Sequence, residues 1–249
     1  MTVPLLAGVV TFLVTSLMTI AGVGAAFILI PVFVALGVDV HVAMATALLL
    51  NVIGLSFASY RYIRARLVLW KVAIPILVVA SALSPFGAWV SQGLPRDALL
   101  WGFVVFLLFA SLMMLFYKAR EREVEQSRGR QLGYGLSIGG FAGFMAGLLG
   151  VGGGNFIVPV LVWLGINPKK AAATTSFIVI FSSLSGFLAH ATAGSLSYNL
   201  LGFTVVGSIM GAMVGAWLMT DKLDREQVKL VVGVVLLSVA AKMVWGLLT

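Results

Sequence analysis

Gly150-Val-Gly-Gly-Gly-Asn155, followed by Phe156-Ile-Val-Pro159, Gly165-Ile-Asn-Pro-Lys-Lys170 and Ala171-Ala-Ala-Thr-Thr-Ser176, is the stretch that decides how this chain folds. A second copy of the design precedes it. Gly22-Val-Gly-Ala-Ala-Phe27 leads to Pro31, then to Gly37-Val-Asp-Val-His-Val42 and Ala43-Met-Ala-Thr46. Equivalent positions are 128 residues apart, as in Gly22 and Gly150, Pro31 and Pro159, Gly37 and Gly165, and Thr46 and Thr174. The register still holds at Gly87-Ala88-Trp89 and Gly215-Ala216-Trp217. An ungapped register over that span marks an internal duplication. It divides the chain into a first repeat at 1–117, a linker at 118–131 and a second repeat at 132–249.

Composition sets the environment. Hydrophobic residues make up 61% of the 249 and charged residues only 10%, against roughly a quarter charged in a soluble domain. The apolar runs of 17–23 residues are separated by short charged clusters. As helices they match about 30 Å of hydrocarbon, and they lack the alternation of a barrel strand. The fold class is therefore an all-α polytopic membrane protein. The net charge of +8 lies in loops, where Lys and Arg set topology and meet anionic lipid. Nucleic acid is not an expected partner. With no cysteine, neither a disulfide framework nor a thiolate metal site is available. No basic region precedes the first apolar run, so that run is expected to belong to the folded protein rather than to a cleaved signal.

Five apolar segments fit each repeat: 3–21, 25–36, 43–60, 68–90 and 98–117, then 132–149, 154–165, 171–190, 197–219 and 226–248. The second of each set is too short. Twelve helical residues rise about 18 Å, well under the hydrocarbon thickness. Each begins at a glycine cluster and contains a proline, so segments one and two are expected to form a broken, re-entrant hairpin with its bend inside the protein. Loop charge then orients the repeats. Arg61, Arg64, Arg66 and Lys71 mark the 61–71 loop as cytoplasmic, as Lys118 to Arg130 mark the linker. The second-repeat counterpart of 61–71 carries no formal charge, whereas the counterpart of 37–42 carries Lys169 and Lys170. The charged side is swapped between repeats, which five crossings per repeat would produce. Inverted-topology repeats of this kind are common among secondary transporters.

Two glycine-rich bends facing one another would offer helix N-termini, with unpaired N–H groups and partial positive charge, to an anion. The candidate binding residues are Gly22, Val23, Gly24 and Ala25 in the first bend and Gly150, Gly152, Gly153, Gly154 and Asn155 in the second. Asn155, an amide where the first repeat has Phe27, adds a donor. Thr46, Thr174, Thr175 and Ser176 open the third segments with hydroxyls, and Asn51 lies further along. Ser56, Ser59, Ser182, Ser183 and Ser185 form polar faces. All eight acids lie in loops or at segment ends, so the membrane interior holds no carboxylate for a cation. His41 and His190 sit at segment ends and do not compose a metal site. No catalytic set, metal or cofactor is expected. Trp70, Trp101, Trp217 and Trp245 are expected as interface anchors, and Lys242 is expected to snorkel.

Taken together, these paired glycine, proline and Ala/Thr motifs resemble the TauE/SafE family of sulfite-exporter-like permeases, over nearly the whole chain. The resemblance implies a multi-pass inner-membrane transporter exporting sulfite or a related organosulfonate. A carrier or channel for another small anion or an uncharged metabolite is the alternative. Ala25 and Ala26 interrupt the glycine run in the first repeat, so that bend is expected to be the tighter one. The expected partners are a small anionic substrate and membrane lipid, with a homodimer left open.

Overall fold

Helices in hydrocarbon end where the sequence supplies a glycine, a polar cap or a charge, and those breaks define the elements. The computed structural model describes residues 2–91, 96–116, 133, 136–142, 144–145, 154–190 and 198–248. From the first repeat come α1 (Thr2–Ala21), α2 (Ala26–Ala35), α3 (Val40–Arg64), α4 (Trp70–Ser91) and α5 (Arg96–Phe116). From the second come α6 (Gly154–Trp163), α7 (Pro168–His190), α8 (Tyr198–Trp217) and α9 (Arg225–Leu248), with one π turn at Leu218–Lys222. Residues 136–142 are also helical. Regular structure among the described residues is helical throughout. Helices α1, α3, α7, α8 and α9 each hold an apolar window long enough to cross a membrane. The linker expected at 118–131 lies outside the described residues.

The two short helices end in the same way. Gly37 and Gly165 adopt φ of +85° and +88°, a region where a side chain is strained. The N–H of Val38 returns to the Phe33 carbonyl, and that of Ile166 to the Leu161 carbonyl, both at 3.0 Å. This is the Schellman closure, built twice at equivalent positions. The following helices, α3 and α7, start before the apolar runs expected at 43–60 and 171–190. The polar turn residues supply the reason. Asp39 Oδ1 accepts the Val42 N–H at 3.3 Å and Asn167 Oδ1 accepts the Lys169 N–H at 3.0 Å. Their side chains cap helices whose first turn is polar.

Packing joins the repeats rather than separating them. Helix α1 lies parallel to α8 along a glycine seam: Gly207 meets the Gly8 carbonyl, Gly211 that of Phe12 and Gly215 that of Ser16. Each approach leaves no room for a Cβ, so backbone lies on backbone, as small residues allow in membranes. The equivalent seam pairs the 136–142 helix with α4, where Gly140 faces Val79 and Leu83. Glycine and large side chain have changed places, since Phe12 faces Gly207 and Gly211 at the corresponding positions. Helices α3 and α7 run antiparallel, with Leu48 beside Gly186 and Asn51 beside Ser183. Helix α5 packs on α9, where Ser111 Oγ donates to the Gly233 carbonyl at 2.9 Å.

One face gathers basic residues from both repeats. Arg61, near the end of α3, donates from Nε to Thr220 Oγ1 at 2.9 Å and pairs with Asp221. Lys169, at the start of α7, donates to the carbonyls of Thr220 and Leu223 at 2.9 and 3.0 Å. The charged loop around 61–71 and its charged opposite number around 169 thus meet at the π turn. The four expected anchors, Trp70, Trp101, Trp217 and Trp245, are all exposed, and so is Lys242.

Candidate functional site

The chain breaks between α1 and α2 inside the protein. Gly22 and Gly24 take φ of +76° and +81°, and Gly22, Val23, Gly24 and Ala25 are all buried. Neither glycine tolerates a side chain: a Cβ on Gly22 would strike the Ala172 backbone, and one on Gly24 would lie 2.6 Å from the Asn51 amide nitrogen. Helix α2 then starts beside Asn51, close to the middle of α3. A buried, glycine-built break thus separates α1 from the short α2.

The second short helix begins against the first bend. A Cβ on Gly154 would lie 2.9 Å from the Val23 carbonyl oxygen and 2.9 Å from Val179 Cγ2. Val179 also reaches toward Gly24, at 3.2 Å from the corresponding Cβ position. The N-termini of α2 and α6 are therefore neighbours, separated by a single valine of α7. Gly150, Gly152 and Gly153, also expected in the site, lie outside the described residues.

The two N-termini are not alike. Ala25 and Ala26 both donate their backbone N–H to Asn51 Oδ1, at 2.7 and 3.1 Å. Asn51 Nδ2 in turn donates to Ser183 Oγ at 3.3 Å. The first helix start is thus closed by an amide oxygen from α3. The position equivalent to Asn51 is Val179, which has no acceptor to offer α6. Asn51, expected as a binding residue, here satisfies the two N–H groups at the start of α2.

Around the start of α6 the remaining described polar groups are buried. Asn155 is 4% exposed. Thr175 and Ser176 are fully buried, and neither hydroxyl has a partner among the described residues. Both lie on the face of α7 that carries Ala172, Val179 and Ser183, residues that touch the bends or Asn51; steps of three and four residues keep one helical face. Buried hydroxyls normally find a partner, and these two are exceptions among the described residues. Thr174 and Thr46 have other duties. Thr174 Oγ1 accepts the Leu69 N–H at 3.0 Å, tying the start of α4 to α7. Thr46 bonds the Val42 carbonyl one turn back at 2.7 Å. The side chains of His41 and His190 are outside those described.

Two features escaped the sequence reading. Val179 reads as one more apolar residue, and only its register with Asn51 could have pointed to it. Thr11, Thr15 and Thr19 are buried in α1 with no hydroxyl partner among the described residues; their spacing of four was a visible signal. Behind the bends, Phe103 bridges Phe27 of α2 at 6.2 Å and Phe156 of α6 at 5.3 Å between ring centroids. Phe106 and Phe141 extend that apolar wall.

Comparison with known proteins agrees with this architecture. The family model described as "Sulfite exporter TauE/SafE" matches residues 7–243. The Bacillus subtilis protein named "Probable membrane transporter protein YunE" is 27% identical over 253 residues, covering 91% of this chain and 92% of that one. The Escherichia coli protein named "Probable membrane transporter protein YfcA" is 28% identical over 249 residues, covering 97% and 91%. A short match of 67 residues, 42% identical, links 27% of this chain to 13% of the Arabidopsis thaliana "Sulfite exporter TauE/SafE family protein 1". With a match spanning nearly its whole length and helices that suit a bilayer, this chain belongs to the sulfite exporter TauE/SafE family of membrane transporters.

Proposed function

We propose that the protein is a secondary transporter exporting a small sulfur oxyanion, such as sulfite or an organosulfonate, by alternating access around the two bends. The observation that carries the reading is the setting of the start of α6. It is buried beside Asn155, Thr175 and Ser176, while the matching start of α2 is capped by Asn51. A helix N-terminus favours an anion, and a sulfonate or sulfite headgroup accepts several N–H and O–H donors at once. The described acids Asp39, Asp97, Asp221, Asp224 and Glu226 stand at helix ends, so among the described residues no helix carries a carboxylate in its interior. The family's printed name supplies the substrate class and the direction of transport.

The repeated Schellman closures, the exchanged glycine seams and the antiparallel α3 and α7 support an inverted-repeat origin for the two access states. The extensive pairings α1 with α8, α3 with α7 and α5 with α9 all cross between repeats. The moving bodies would therefore be mixed bundles rather than the two sequence halves.

Counterflow in proteoliposomes tests the proposal. Purified protein should exchange labelled for unlabelled sulfite, which a pore would not do. Asn155→Leu should raise the half-saturating sulfite concentration about tenfold or more, the worth of a hydrogen bond to a charged group, with little change in unfolding temperature. Wild-type affinity in that variant would remove the start of α6 as the site.

A further inference from the structure

The face that gathers the basic residues carries a second concavity, remote from the bends. It is a groove of about 520 Å³ between α3 and α8. Phe57 and Tyr60 of α3 and Met213 and Ala216 of α8 form its walls, and Arg61 and Arg64 close one end. Phe57, Tyr60 and Met213 are exposed at 48%, 64% and 54%, as side chains turned toward lipid should be.

The two arginines differ in their commitments. Arg61 is held by Asp221 and Thr220, so its charge is offset and its position fixed. Arg64 has no carboxylate partner among the described residues, and its guanidinium lies 5.7 Å from the centre of the Tyr60 ring. Stacking of this kind orients a guanidinium but leaves its edge donors free. Close by, Lys222 lies 5.5 Å from the Trp217 ring, which places an aromatic and basic belt at the level of lipid headgroups. An apolar trough with an unpaired, oriented guanidinium at its headgroup end has the chemistry of an acyl chain joined to a phosphate.

We propose that the groove between α3 and α8 is a specific site for an anionic phospholipid. Its phosphate would be bound by Arg64, with Arg61 beside it, and an acyl chain would lie along Phe57, Tyr60 and Met213. Charge complementarity selects this occupant. An uncharged protein helix would leave Arg64 unanswered, and a zwitterionic lipid would bring a cation against it. Because α3 and α8 also border the Arg61–Asp221 pair, the bound lipid would brace the face where the repeats meet.

The test uses the purified full-length chain in neutral detergent, its unfolding temperature followed against added phosphatidylglycerol, phosphatidylcholine of the same acyl chains, and soluble glycerol phosphate. Ligands that bind only the folded state raise that temperature with occupancy. Phosphatidylglycerol should give a saturable rise, with neither of the other two matching it. Arg64→Ala should raise the half-saturating concentration about fivefold, the worth of one basic contact to an anionic surface. Met213→Trp, which fills the trough and leaves both arginines in place, should weaken the same response. Equal stabilisation by phosphatidylcholine would reduce the groove to ordinary lipid contact, and equal stabilisation by glycerol phosphate would make it a headgroup site without a lipid. An unchanged response in Arg64→Ala would overturn the proposal outright.

Discussion

Asn51 does at one residue what a ligand would do at the other bend. Its carbonyl oxygen accepts both N–H groups at the start of α2, which at a helix N-terminus are among the donors without an intrahelical partner. Removing it leaves two buried donors, each at a cost of roughly 1–3 kcal/mol. Asn51→Leu should therefore lower the unfolding temperature markedly, measured by thermal melt in detergent. The complementary change is Val179→Asn, which offers α6 the cap that α2 already has. It should leave the melt near wild type and suppress anion exchange by occupying the N–H groups at the start of α6. Unimpaired exchange by a stable Val179→Asn protein would count against an anion at α6. Asn51 was visible in the sequence as a polar residue in an apolar helix, but its role was not. The N–H groups it caps lie about 25 residues away in the chain, and no local pattern encodes that meeting. Val179 was invisible altogether, because a valine in an apolar run is what any membrane helix contains.

At the scale of elements, the sequence was most legible where backbone chemistry sets a boundary. The short second helices and their glycine ends follow from the length of an apolar run and from the need for positive φ at Gly37 and Gly165. The early starts of α3 and α7 were missed because hydropathy marks where a helix becomes apolar, whereas Asp39 and Asn167 mark where it begins. Which helices touch was harder still. Glycines at 207, 211 and 215 announce a seam by their spacing but do not name α1 as the partner. The seam yields a prediction with an internal control. Gly211→Ala drives a methyl group into the Phe12 carbonyl, and overpacking of this kind costs about 1–3 kcal/mol. A Cβ on Gly202 of the same helix meets nothing within 4 Å, so Gly202→Ala should be neutral or slightly stabilising, since alanine is the better helix former. Paired melts decide it: equal behaviour of the two variants would mean that α1 and α8 are not in backbone contact.

For the whole molecule, packing brings a charged edge of each half of the chain to the same face, where Arg61 of the first meets Thr220 and Asp221 of the second. Lys169 fastens the start of α7 to the same π turn. If the protein works by alternating access, this face must open, and these contacts must break when it does. An ion pair as exposed as Arg61 and Asp221 contributes little to stability, which suits a contact that is made and broken in each cycle. The chain contains no cysteine, so a trap can be introduced without background. Arg61→Cys with Asp221→Cys should transport while reduced, because only the exposed pair and the Arg61–Thr220 hydrogen bond are lost. Bridging the two thiols with a short bifunctional thiol reagent should then stop sulfite exchange in proteoliposomes, and cleaving the bridge should restore it. Each single variant, treated identically, should be unaffected. Exchange that continues at the reduced rate through a completed crosslink would show that this face stays closed throughout transport. The access path would then have to be sought among the other helix pairs that cross between the repeats.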